Sequence, residues 1–180
     1  MEASVIKEVD GLFKIVKLKK FRETKGVRFD ILPDEIFNNV SGVDRVIHES
    51  SAVSPGSING VEKPWYMHTG QFDNLIVLHG ERHVDLYNVR HGKIEKFIVT
   101  PSTVIHNDQV VSDEPAMLVW PPGVFHRVES KERGSASLNF ATRTNSFDID
   151  DNFNIYDVDV NKGTFKVVRE GFKDQYKKTT

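Results

Sequence analysis

The sequence contains no cysteine. That excludes disulfide scaffolds, thiolate zinc sites, iron–sulfur clusters and cysteine nucleophiles together. Strong helix formers are also scarce, with 5 Ala and 8 Leu against 23 Val. No apolar run approaches the roughly 20 residues that a membrane helix needs. Neither charge sign is in surplus: Lys and Arg total 24, Asp and Glu 26, for a formal net charge of −2. A basic footprint for nucleic acid or an anionic membrane is therefore missing. The opening MEASVIKEVDG lacks the apolar centre of a secretory signal. No Gly-x-Ser-x-Gly elbow and no glycine-rich phosphate loop appears. The expectation is a soluble, cytoplasmic protein whose partner is a small molecule rather than nucleic acid or a membrane.

What is present points to sheet. Valine's branched side chain suits a pleated surface better than a helix. The 12 Gly and 7 Pro fall mostly between apolar stretches, where turns belong. LFKIVKLKK (12–20) alternates apolar and polar residues and predicts a half-buried strand; 26–32 predicts a second. Residues 33–40 predict the one short helix, with Pro33 at its start and Asp34 and Glu35 in its first turn. Further strands are expected at 65–67, 73–79, 83–89, 93–99, 116–120, 124–129, 136–143 and 164–168. Residues 102–114 read as irregular, 131–135 as a charged hairpin tip and 173–180 as a frayed tail. The organisation expected is a mainly β chain: strands and a short helix over 1–59, a core barrel over 60–145 and an extension over 146–180. The segment DNLIVLH is apolar on both parities, so a second sheet should cover one face and an arm or a second copy the other. A homodimer is the expectation.

Two segments carry candidate chemistry. The first runs Tyr66-Met67-His68, then Gln71, Asp73 and Gly80; the second is Pro121-Pro122-Gly123-Val124-Phe125-His126. Two imidazoles and a carboxylate on the inner wall of a barrel can hold a divalent transition metal with positions left open. By strand parity, an inward Asp73 takes Leu75, Val77 and His79 inward with it. Together the segments resemble the two signature motifs of the cupin superfamily over roughly 60–143. The resemblance implies a cupin-type jelly-roll β-barrel. It also implies metal ligation by His68, Asp73 and His126, with Fe, Mn, Ni or Zn as the ion. Tyr66 stands where that family has its first motif histidine, and Asp73 replaces its glutamate.

The same residues also resemble the dTDP-4-dehydrorhamnose 3,5-epimerase branch of that barrel, which works without a metal. There the resemblance implies His68 as general base beside a ketone, an acid such as Asp73 to orient it, and a tyrosine such as Tyr66 to return the proton. Trp65 stands where that branch has an arginine for the substrate, Asn74 where it has a lysine, and Asn139 where it has its acid tyrosine. Trp65, Gln71, His79 and Asn139 are the candidate substrate contacts. Three readings follow: an isomerase or epimerase acting on a carbonyl sugar or sugar nucleotide; a metal-dependent cupin, either oxygenase or metal-assisted isomerase; and a ligand-binding cupin without catalysis. Of the remaining histidines, His91 sits in an Arg-His-Gly turn and is expected in solvent.

Overall fold

The protein is described by a computed structural model over residues 4–175; the tail expected to fray lies outside them from 176 on. Fifteen strands and one short helix follow in chain order: β1 (Val5–Val9), β2 (Phe13–Lys17), β3 (Lys19–Thr24), β4 (Val27–Ile31), α1 (Asp34–Phe37), β5 (Gly42–His48) and β6 (Val53–Ser54). Then come β7 (Trp65–Met67), β8 (Gln71–Tyr87), β9 (Glu95–Val99), β10 (Val104–His106), β11 (Gln109–Ser112), β12 (Ala116–Trp120), β13 (Phe125–Arg143), β14 (Ile155–Asp159) and β15 (Thr164–Arg169). A 3-10 turn, Gly171–Asp174, follows β15. All pairings are antiparallel.

Two long strands make the barrel. β8 has 17 residues and β13 has 19, and they pair along most of their length. Their halves belong to different walls. The first half of β8 and the second half of β13 lie between β12 and β5, and β2 and β1 extend this wall beyond β12. The other halves lie between β9 and the pair β6 and β7, with β10–β11 and β14–β15 continuing outward. The result is the expected jelly roll.

The sequence reading placed a break at Gly80 and a hairpin tip over 131–135; in the fold both are corners of continuous strands. Gly80 and Gly134 have φ of +70° and +63°, a region closed to most side chains. A Cβ on Gly80 would sit 2.2 Å from the Gly134 carbonyl oxygen, and one on Gly134 would sit 2.4 Å from that of His48. Glycine lets the chain turn the corner without losing the ladder. Residues 102–114, read as irregular, instead form the β10–β11 hairpin. Asn107 and Asp108, at φ of +47° and +63°, supply its tight turn.

The core between the walls joins Leu12, Phe13 and Ile15 to Leu75, Val77, Val84, Leu86, Phe97, Leu118 and Trp120. Outside the first wall, Val16, Leu18, Met117 and Val119 pack with Leu32 and Ile36 from the arm and helix. The arm therefore covers part of the second apolar face of β8, including Ile76, while Leu78 remains exposed.

Candidate active site

The inner face of the barrel brings together residues from three stretches. His68 follows β7, Asp73 lies on β8 and His126 on β13, and all three are buried. Asp73 points inward for the reason the alternation gives: it shares a parity with Leu75 and Val77 of the core. Its Oδ2 lies 3.0 Å from His68 Nε2 and 3.9 Å from His126 Nε2. The two imidazole rings are 4.8 Å apart. Gln71 Nε2 donates to Asp73 Oδ1 at 2.9 Å, and Asn139 Nδ2 donates to the same oxygen at 2.6 Å. Two positions proposed for substrate thus anchor the carboxylate.

The other ring nitrogens are also placed. His68 Nδ1 donates to the Asn152 carbonyl, and His126 Nδ1 donates to the Val124 carbonyl at 3.3 Å. These bonds fix both rings with Nε2 turned to Asp73. His68 then has both nitrogens committed, one to a carbonyl and one to a carboxylate. Both partners accept, so both ring nitrogens must carry a proton. His126 Nε2, by contrast, has no partner at hydrogen-bond distance among the described residues.

Electrostatics agrees with that division. Burial disfavours charge on His68, but Asp73 beside it and the Asn152 carbonyl outweigh burial and hold its pKa above the ordinary histidine value. Burial and the neighbouring His68 charge push His126 down to about 4. Asp73 is buried, which alone would raise it, yet His68, His126 and Gln71 hold it well below the usual carboxylate range. The resting arrangement is an imidazolium–carboxylate pair beside a neutral imidazole.

Asn152, which sequence reasoning missed, belongs to the connection between β13 and β14. It is fully buried; its Nδ2 donates to Gln71 Oε1 at 3.3 Å, and its Oδ1 has no partner among the described residues. Phe153 packs edge-on against His68 at 5.3 Å. Trp120 lies 5.3 Å from His126, and its Nε1 donor is likewise buried without a partner. The only hint of Asn152 in the sequence was polar residues among the embedded aromatics of 146–159.

Tyr66 faces inward opposite His126 in the ladder, with ring centroids 6.0 Å apart. Burial raises its phenol pKa, although Ser54 hydrogen-bonds it. Trp65 and His79 fall outside the group. Trp65 is on the outer face of β7, packed with Tyr87, Phe125 and Tyr156 and capped by the Arg127 guanidinium at 4.0 Å. His79 is exposed, because β8 carries one extra residue opposite the Ala136/Ser137 step and the inward parity is lost there. His91, expected in solvent, bonds Glu95 at 2.7 Å.

His68, Asp73 and His126 each offer one ligand atom within 4.8 Å of the others. Each histidine ties its second nitrogen to a carbonyl, the usual outer support of a ligating imidazole. The three residues fit a divalent cation. A groove of about 690 Å³ lined by His83, Asp85, Lys96 and Arg127 lies elsewhere, on the outward side of the β8–β13 wall.

No family model and no curated protein matches the chain. Solved structures do. A dTDP-4-dehydrorhamnose 3,5-epimerase from Sulfolobus tokodaii has a TM-score of 0.57 at 19% identity, over 80% of this chain and 77% of the other. The sugar 3,4-ketoisomerase QdtA from Thermoanaerobacterium thermosaccharolyticum, solved with TDP, has a TM-score of 0.53 at 13% identity, covering 73% and 80%. NovW from Streptomyces spheroides, a 4-keto-6-deoxy sugar epimerase, has a TM-score of 0.57 at 9% identity, covering 80% and 70%. Among the described residues no helix is long and apolar enough to cross a membrane. The chain has the cupin-type jelly-roll fold found in these sugar epimerases and ketoisomerases.

Proposed function

We propose that the chain is a carbonyl-sugar isomerase that moves a proton between neighbouring carbons on one face of its substrate. The observation that carries this is the unequal state of the two histidines around Asp73. His126 Nε2 holds a lone pair without a partner, while His68 holds a proton on each nitrogen. His126 takes the proton from the carbon beside the carbonyl, and His68 gives its Nε2 proton to the carbonyl oxygen, which yields an enediol. Return of a proton to the former carbonyl carbon, with loss of one from the neighbouring hydroxyl, shifts the carbonyl by one carbon and restores both histidines. Asp73 stabilises the imidazolium, and Gln71 and Asn139 hold Asp73.

An epimerisation needs an acid and a base on opposite faces of the carbon. Here the two protonic groups share one carboxylate, and Asn139 rather than a tyrosine projects from β13, so isomerisation is the better fit. The unpartnered Trp120 Nε1 and Asn152 Oδ1 are a donor and an acceptor for sugar hydroxyls. Asn152 and Phe153 pack against His68 from the connection between β13 and β14. Likeness to structures that bind TDP supports a nucleotide-linked sugar.

The test is proton exchange. Incubated in deuterium oxide with TDP-4-keto-6-deoxyglucose and related keto sugars, the protein should incorporate deuterium beside the carbonyl, and His126→Ala should abolish this. Absence of exchange with every sugar tried, or undiminished exchange in His126→Ala, would overturn the reading.

The carbonyl-tethered rings favour a second reading, a metal-dependent cupin in which His68, Asp73 and His126 hold Fe, Mn, Ni or Zn. A bound cation would polarise the substrate carbonyl as a Lewis acid, and His68 would then be neutral. Protein purified without chelator should contain one equivalent of metal that Asp73→Ala loses. Substoichiometric metal that none of the four ions restores removes this reading. A homodimer, if formed, has an apolar surface available: Val43, Ile47 and Leu78 are exposed on the outward side of β5 and β8.

A further inference from the structure

The barrel interior holds a second buried polar group that isomerisation does not use. Arg82 lies on the inner face of β8 with Val84 and Leu86 and is 3% exposed. Its Nη2 donates to the Val46 carbonyl at 3.1 Å and its Nη1 to His48 Nε2 at 3.3 Å, while Nε has no partner among the described residues. No carboxylate among the described residues pairs with it, and burial alone pushes its pKa down to about 10. A guanidinium withdrawn from water without a counter-charge is uncommon and needs a reason.

The neighbours supply two neutral acceptors, the Val46 carbonyl and His48 Nε2, and no negative charge. Arginine can only donate, so His48 Nε2 must accept. His48 Nδ1 then carries the proton and donates to Ser130 Oγ at 3.1 Å, and Ser130 Oγ lies 2.6 Å from Ser135 Oγ. Whichever serine donates to the other, one hydroxyl proton of the pair is left without an acceptor. Ser137, two residues beyond Ser135 on the same face of β13, is 1% exposed and its Oγ has no partner among the described residues. The corner thus carries one unbalanced positive charge, and Arg82 Nε, Ser137 and the Ser130–Ser135 pair each hold a proton that no described residue receives.

We propose that this corner is a subsite for a phosphoryl-type oxyanion, held by Arg82 with Ser137 and the Ser130–Ser135 pair. A phosphoryl group brings the charge and the several acceptor oxygens that the corner lacks. Ser130 stands four residues from His126 along the inner face of β13, about 13 Å at the strand repeat. Asn139, Ser137 and Ser135 make a polar track on the same strand from Asp73 toward the corner, facing the aliphatic Leu75 and Val77. The anion is either free phosphate or the phosphoryl end of a ligand lying along that track. The subsite does not depend on the isomerase reading, since phosphate binding tests Arg82 and deuterium exchange tests His126.

The experiment is a titration of the full chain, ¹⁵N-labelled, with inorganic phosphate, following the Arg82 Nε–H resonance and the melting temperature. Phosphate should shift that resonance and raise the melting temperature. Ser137→Ala should weaken phosphate binding about tenfold, the effect of one lost hydrogen bond to a charged group. Arg82→Gln should abolish binding; if it does not fold, the wild-type resonance and Ser137→Ala still decide. TDP that displaces phosphate assigns the subsite to the ligand's own phosphoryl group, and phosphate binding that TDP leaves untouched assigns it to the free ion. An unmoved Arg82 resonance, or equal phosphate affinity in Ser137→Ala, overturns the proposal.

Discussion

Two carboxylates inside this barrel are each flanked by two histidines, Asp73 by His68 and His126 and Glu95 by His91 and His106, and one row of the sheet links the two groups. Leu86 of β8 faces His126 on one side and Glu95 on the other. Around Glu95 every valence is used: His91 and Lys93 reach Oε1 at 2.7 and 3.0 Å, and His106 and Asn107 reach Oε2 at 2.6 Å each. Lys7 donates to His106 Nδ1 at 2.8 Å, which leaves that ring no free lone pair. These donors overcome the effect of burial and bring Glu95 down to about 2. Around Asp73 no lysine intervenes, and His126 Nε2 is left with an unused lone pair. Composition therefore does not tell the two groups apart; the difference is an imidazole nitrogen left without a partner among the described residues beside a held carboxylate.

The comparison can be broken most sharply at the two ends of that row. His126→Ala should lower deuterium exchange by about 10²–10⁴-fold, the usual contribution of a positioned base, with folding retained. Glu95→Gln should do the reverse: stability falls by about 2 kcal/mol, measured by urea unfolding, as charge-assisted bonds are lost, while exchange changes little. If Glu95→Gln abolished exchange in folded protein, the distinction between the clusters would be lost.

The pH dependence sharpens it. Exchange should follow a bell. The rising limb near pH 4 marks loss of the proton from His126, and the falling limb, above 6.5, marks deprotonation of His68, whose pKa is raised. A smaller effect is expected in stability. His48 is pushed down to about 4 by burial and by Arg82, against 6.5 unfolded. A depressed folded value means that the unfolded chain binds more protons between those limits, so its contribution is whole above 6.5 and is lost as pH falls toward 4. The melting temperature should drop across that window, and His48→Gln should flatten part of the slope.

The legibility of the molecule was uneven for physical reasons. Alternation in β8 reports correctly that Asp73 lies with Leu75 and Val77, because side chains on a regular strand must alternate. The same rule carried to His79 fails, because one extra residue at a bulge resets the parity and nothing in the local sequence marks it. Gly80 and Gly134 read as breaks, since a glycine at a turn and a glycine at a strand corner look alike until the opposing carbonyl is known. Trp65 read as a substrate contact from its place beside a motif, yet its parity with Met67 puts it on the outer face.

By itself, the sequence determined a cysteine-free, valine-rich sheet protein with two histidine-bearing motifs, because composition and period-2 alternation act locally along each strand. Tertiary structure alone decided which nitrogen is free. That depends on the Asn152 and Val124 carbonyls and on one carboxylate shared by rings 58 residues apart in the chain, and hydrogen-bond partners across a barrel are chosen by the fold and not by neighbours in sequence.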